Sequence, residues 1–206
     1  MKYNMSAKVY NTFFSYALKK YYKEHFPDMN IKGVLKDIKK EYKAMILRTP
    51  GLNGNFMESN LVGAAWFFSL AKCMPNMTPQ LMNTITDDAM QSNLMMKMHK
   101  KARETGSLFS DKVLDQRIKE GKESQTSTME MDWKYLYIKG EDEYFVNFTK
   151  CGVCKLAERE NMKEYLPCMC HMDYSKYRMQ GAELHRTHTI ADGDGFCDFH
   201  LVRIKK

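Results

Sequence analysis

The sequence predicts an α+β fold: an N-terminal layer of about five helices packed on a C-terminal, mostly antiparallel four-stranded sheet with inserted helices. Three observations predict it. Apolar residues recur every three to four positions through the first half of the 206-residue chain, the spacing of one helix face. From Trp133 the spacing shortens to two, the alternation of a strand with one buried side. The polar stretches between the later runs are short and rich in Gly and Asp, which suits antiparallel connections. The length fits one domain, with a helical half over 1–123 and a sheet-containing half over 129–206.

Residues 6–24 set Val9, Phe13, Ala17 and Tyr21 in one row, with Tyr10, Phe14, Leu18 and Tyr22 beside it. Ser6 is the expected N-cap. Over 31–47, Ile31, Val34, Leu35, Ile38, Tyr42, Met45 and Ile46 share a face opposite lysines, and Pro50-Gly51 ends the run. A Gly- and Asn-rich turn over 51–55 follows. Residues 61–73 are apolar nearly all round, which predicts a buried central helix stopped by Pro75. Thr78-Pro79 reads as N-cap and first helical position of a helix running to about Glu104 and closed by Gly106. Residues 110–122 carry Val113, Leu114 and Ile118 on the last helix of the layer, whose end Gly121 weakens.

After a polar link over 124–128, strands over 133–138 and 144–149 flank the turn Gly140-Glu141-Asp142 as a hairpin. A short helix over 152–159 and a longer one over 163–179 come next. Two further strands, 183–191 and 196–204, are joined by Asp192-Gly193-Asp194-Gly195. The chain holds 18 methionines, and the group Met95, Met96 and Met98 reads as core filling.

The net charge of +7 is uneven. Residues 1–125 hold 20 basic and 12 acidic side chains; residues 126–206 hold 12 and 13. The excess is spread over helix faces as Lys19-Lys20, Lys39-Lys40 and Lys100-Lys101, without a recognisable nucleic-acid module, so no nucleic-acid partner is expected. No apolar run is long enough to cross a membrane. The start, Met-Lys-Tyr-Asn, lacks the apolar region of a signal peptide, so a cytoplasmic protein with reduced thiols and no membrane partner is expected. Self-association is left open.

Five of the six cysteines and four of the six histidines lie beyond residue 150. Thiols and imidazoles bind metals or act as nucleophiles and bases near neutral pH. Cys151-Gly-Val-Cys154 stands where a strand gives way to a short helix. Such a pair can be redox-active or half of a zinc site, and the antiparallel hairpin before it argues against a redox pair of the thioredoxin kind. In Cys168-Met-Cys170-His171-Met-Asp173, helical spacing puts Cys170 and Asp173 on one face and Cys168 elsewhere. A carboxylate raises a neighbouring thiol pKa, so Asp173 is better suited to carrying a proton or anchoring a substrate amidine. In the third group, strand alternation would place Arg186, His188 and Ile190 on one face and Thr187 and Thr189 on the other, with Cys197 and Phe199 opposite in side to Asp198 and His200. Arg186, followed by Thr187 and close to a tight turn and the Cys197-Asp198 pair, suits bidentate grip of a carboxylate.

At these residues the chain resembles the L-2-amino-thiazoline-4-carboxylic acid hydrolases. The similarity spans roughly 145–204: a Cys opening a short helix (Cys151 or Cys154), Cys170 with Asp173, Arg186-Thr187-His188-Thr189-Ile190-Ala191-Asp192-Gly193, then Cys197-Asp198-Phe199. The resemblance implies a cytoplasmic hydrolase that opens a cyclic amidine or amide at a C–S or C–N bond to give an N-carbamoyl amino acid, with a small carboxylate-bearing molecule as substrate. In that reading Cys170, Asp173, Cys197 and Asp198 are the catalytic candidates, with Cys170 and Cys197 preferred over Cys154 as nucleophile. Arg186, Thr187, His188 and Thr189 are the substrate-binding candidates. His188 or His200 would activate the thiol from across the fold, and Cys168 is structural. No cofactor is expected. Two other readings stand beside it: a zinc site from Cys151, Cys154, Cys170 and Cys197 with a histidine, and a non-catalytic small-molecule binder on the same scaffold, lined by rings such as Trp66 and Trp133.

Overall fold

In a computed structural model, residues 1–52 and 57–205 are described, with Leu94 and Met98 through their backbone only. The chain forms α1 (Met5–His25), α2 (Ile31–Arg48), α3 (Glu58–Cys73), α4 (Pro79–Met90), α5 (Asn93–Thr105) and α6 (Asp111–Ser124). There follow β1 (Lys134–Lys139), β2 (Glu143–Lys150), α7 (Gly152–Glu160), α8 (Leu166–Met179), β3 (Ala182–His185) and β4 (Cys197–Arg203). The strands form one antiparallel sheet in the order β1-β2-β4-β3. The α+β expectation therefore holds, with helices first; after β2 the chain passes through α7 and α8 to the edge strand β3, and β4 returns between β3 and β2.

Three local expectations change. The N-cap of α1 is Asn4, whose side chain accepts from the Ala7 N–H, rather than Ser6. The helix expected from Pro79 to about Glu104 is two helices. Gln91 is the last helical-like residue, and the Ser92 side chain accepts from the Met95 N–H to start α5. That break turns α5 so that Met95 packs with Met90 and Met179 in a small satellite core, as its thioether suggested, while Met96 lies exposed. The side chain of Met98 and most of the turn expected over 51–55 (residues 53–55) lie outside the described residues.

The third change concerns the site. The strand expected over 183–191 ends at His185. Residues 186–196 leave the sheet, with a 3₁₀ turn at Ile190–Asp192. The cause is local competition for backbone donors. Asp198 Oδ1 accepts from the N–H groups of Thr187 (3.0 Å) and His188 (2.6 Å), and Asp194 Oδ2 accepts from the Thr189 N–H (2.8 Å). Donors that would extend a ladder are taken by carboxylates instead.

The core is continuous through both halves. The apolar α3, with Trp66, Phe68 and Leu70 buried, runs through its centre. The covered sheet side presents Tyr135, Tyr144, Val146, Cys197, Phe199 and Leu201, all buried. The other side carries Leu136, Ile138 and Asn147, which are exposed, and Asp198 and His200. Helix α7 is tied to the helical layer at its far end, where buried Glu160 accepts from Arg48 (2.7 Å and 2.5 Å) and Lys72 (2.5 Å). At its near end Gly152 has no room for a side chain: a Cβ would collide with the Met131 carbonyl oxygen and sit 2.8 Å from the Trp133 ring. The start of α7 is thus held hard against the sheet.

Candidate active site

Cys151 is the residue at which β2 becomes α7. It has extended backbone angles (φ −125°, ψ 120°) and serves as the N-cap of the helix. Cys154 lies one helical turn further on. The Cys154 thiol favours a thiolate on Cys151 by hydrogen bonding, and this outweighs burial; the N–H groups of Cys154 and Val153 at the helix start act in the same direction. The Cys151 pKa is therefore lowered, and that of Cys154 is raised by the same contact and by burial. All five other cysteines are shifted upward.

Around this pair stand groups from α8 and β4. Cys170 is pushed up to about 12 by burial, with the Asp173 carboxylate adding and Arg186 opposing, and the charges of Cys151 and Cys197 also reach it. Cys197 is pushed up to about 11 by burial, against the Ile190 N–H, which donates to its sulfur at 3.2 Å. Asp173, one turn beyond Cys170, is raised by burial against the pull of Lys176 and Arg186. Its side chain keeps 28% of its surface open, so protein atoms crowd it without sealing it off.

Arg186 joins these pieces. Its Nη1 donates to Asp173 Oδ2 at 3.2 Å and its Nη2 to the Cys170 carbonyl at 2.9 Å. The guanidinium sits 4.8 Å from the Phe199 ring centre and 5.1 Å from that of Tyr174. The side chain is only 3% exposed, and Nε has no partner. Of the sequence candidates, Arg186 is thus bonded to Asp173 and to the Cys170 backbone, and Cys197 lies within electrostatic reach of them.

The others do not join them. Thr187 Oγ1 donates to Asp198 Oδ2 at 2.6 Å, and His188 Nδ1 lies 3.4 Å from the same oxygen. Thr189 Oγ1 donates to Asp192 at 2.6 Å. Asp198 alternates with Cys197 along β4, so it occupies the far side of the sheet. Burial opposes its ionisation, but the bonds from Thr187 and His188 hold its carboxyl at about 2. The histidines expected to activate a thiol are also on that side or beyond it. His200 Nε2 is 2.8 Å from Glu143 Oε2 and stacks on Phe145, and His188 stacks on Phe196. Their expected place as thiol partners is corrected: alternation along β4 puts His200 on the outer side, and the bonds to Asp198 hold His188 there. Cys168 is buried and donates to the Pro79 carbonyl at 3.3 Å, apart from the group.

The thiol whose setting sequence reasoning did not single out is Cys151. The signal was present, since a cysteine that opens a helix gains from the helix start, but the pattern treated it as interchangeable with Cys154. Among the described residues no three His, Cys, Asp or Glu side chains are arranged to hold a metal ion. Two surface grooves, of about 380 and 280 Å³, run along α5 and at its C-terminal end. Neither is lined by a cysteine.

A family model described as L-2-amino-thiazoline-4-carboxylic acid hydrolase matches residues 59–201. The chain belongs to this family. A comparison with curated proteins found no match, and a comparison with solved structures found none either. The L-2-amino-thiazoline-4-carboxylic acid hydrolase match begins in α3 and ends in β4, so it takes in the helical layer, for which the sequence offered no specific motif. Among the described residues no helix is long and apolar enough to cross a membrane.

Proposed function

We propose that this protein is a thiol-dependent hydrolase of the cytoplasm that opens a small, carboxylate-bearing cyclic amidine, 2-amino-thiazoline-4-carboxylate or a close analogue, to an N-carbamoyl amino acid. The observation that carries this reading is Cys151 at the N-cap of α7, with Cys154 one turn on and the Arg186–Asp173 pair nearby; that setting lowers the Cys151 thiol. The family name supports the substrate class.

Cys151 adds as thiolate to the ring carbon between sulfur and nitrogen. The ring C–S bond breaks, and protonated Asp173 gives its proton to the departing sulfur. This leaves an isothiourea bond between Cys151 and the opened substrate. Water then adds to the same carbon, Asp173 takes its proton back, and the Cys151–carbon bond breaks to release the urea product. A carboxyl raised above its ordinary range is suited to both proton transfers. Arg186 acts as a positioning residue that holds Asp173 and the Cys170 carbonyl in place, because its enclosed guanidinium is already engaged on two sides. Asp198 works differently, by tying the segment 186–189 to β4. The scheme uses side chains and water alone.

The test is turnover of 2-amino-thiazoline-4-carboxylate by the purified full chain, followed by chromatography of the carbamoyl product. Turnover that is blocked by one equivalent of alkylation at Cys151 supports the reading. Inertness toward thiazoline, hydantoin and N-carbamoyl compounds would leave a binding protein on a hydrolase scaffold.

A further inference from the structure

We infer that Cys151 and Cys154 form a reversible disulfide, making the start of α7 a site of oxidative modification by peroxide. Neither thiol is sealed in the core: both are half-buried, unlike Cys168 and Cys197, which are buried. They are spaced as N-cap and first helical turn, so their Cβ atoms share one face of the helix start. Each thiol perturbs the ionisation of the other, as two groups one helical turn apart do. The antiparallel hairpin that precedes the pair is no obstacle. What the chemistry needs is a strand delivering a cysteine to a helix N-terminus with a second thiol one turn away, and β2 followed by α7 supplies that.

The steps balance without a metal or cofactor. The Cys151 thiolate attacks one oxygen of hydrogen peroxide, the O–O bond breaks, and Cys151 becomes a sulfenic acid while hydroxide leaves. The sulfur has lost two electrons and the peroxide has gained them. The Cys154 sulfur then attacks the Cys151 sulfur, the S–O bond breaks, and the departing hydroxide takes the Cys154 proton as water. An external dithiol reverses the reaction by exchange. Cys170 and Cys197 stand near enough to influence the pair electrostatically, but each lies on a different element, held by its own packing. Cys154 is the resolving thiol because it shares the helix turn.

The consequence for activity rests on the hydrolase reading: a disulfide removes the thiolate that attacks the ring, so oxidation switches turnover off and protects the sulfur from further oxidation. The modification itself does not depend on that reading.

The experiment separates the two. Reduced full-length protein is treated with a small excess of hydrogen peroxide, the remaining thiols are alkylated, and the protein is cleaved after lysine. Residues 151–155 then form one peptide that carries both cysteines of the pair and none of the other four. The expected result is that peptide two hydrogens lighter and unalkylated, returning to two alkylatable thiols after dithiothreitol. In Cys154→Ser the same peptide should instead carry a sulfenic acid trapped by dimedone at Cys151, with a thermal melt showing that the variant is folded. Peroxide consumed first at Cys73, Cys170 or Cys197, with 151–155 still fully alkylatable, would overturn the inference. So would a Cys154→Ser variant that pairs Cys151 with Cys170 or Cys197 as fast as the wild type closes its own disulfide. Loss of thiazoline turnover in step with the mass change ties the switch to hydrolysis; a reduced protein with no turnover that still forms the disulfide counts against the hydrolase reading alone.

Discussion

Cys197 and Asp198 are neighbours in the chain and live in opposite environments. Cys197 faces the covered side of the sheet, where burial lifts its thiol to about 11 and Cys151, Cys170, Asp173 and Arg186 stand close by. Asp198 faces the outer side, where Thr187 and His188 hold its carboxyl at about 2. One side of β4 keeps groups near their neutral forms in a crowded interior. The other keeps a carboxylate fully charged and spends it on backbone donors. Adjacent residues in a strand are separated by the thickness of the sheet, so a motif can bundle a catalytic element with a scaffolding one.

The contrast is tested first on the thiols. Cys151→Ser should lower kcat on the thiazoline substrate about 10³-fold or more, whereas Cys197→Ser should cost about tenfold or less. Equal losses in both would put the nucleophile on β4 and erase the distinction. Asp173→Asn comes next, with an expected loss of about 10²-fold. The wild-type rate should rise with pH as Cys151 ionises below the ordinary thiol range and fall as Asp173 loses its proton above the ordinary carboxyl range. The variant should keep the rise and lose that fall, and an unchanged alkaline limb would remove Asp173 from proton transfer.

Gly152→Ala probes how tightly the helix start is pressed to the sheet. The added Cβ meets the Met131 carbonyl and the Trp133 ring. A cost of about 2 kcal/mol in a urea titration is expected, together with reduced turnover because Cys151 is displaced. Wild-type stability would mean that the junction gives freely.

The smallest effects belong to the outer side. Asp198→Asn should lower stability by about 1 kcal/mol at neutral pH and leave kcat within about threefold. The sign of its pH dependence follows from the depressed carboxyl. Its contribution is fully present above the ordinary 3.8 and is lost as pH falls toward about 2. Wild-type protein should therefore lose that increment across this window on acid titration, and Asp198→Asn should not. His188→Ala, at an exposed ring, should change stability by less than about 0.5 kcal/mol. A loss in kcat comparable to that of Cys151→Ser in either variant would make the outer side catalytic.

Much of the architecture was legible because it depends on short-range periodicity. The helix over 31–47, the hairpin around Gly140 and the side-switching of Cys197, Asp198 and Phe199 all follow from spacing within a few residues. The α4–α5 break was hidden because Ser92 is a weak signal inside a continuous helical pattern, and its cap matters only once Met95 packs on Met179. The end of β3 was hidden for a similar reason: Arg186–Thr189 alternates like a strand, but Asp194 and Asp198 claim its backbone donors.

By itself the sequence determined the fold class, the gathering of thiols after residue 150 and the family, since these rest on composition, local period and motif spacing. Only the tertiary structure decided which sulfur is set apart. The pKa of a thiol depends on what surrounds it. Cys151 differs from Cys154, Cys170 and Cys197 through the helix start beneath it and a neighbouring thiol that favours its ionised form, and its surroundings are complete only once α7 packs against the sheet and α8.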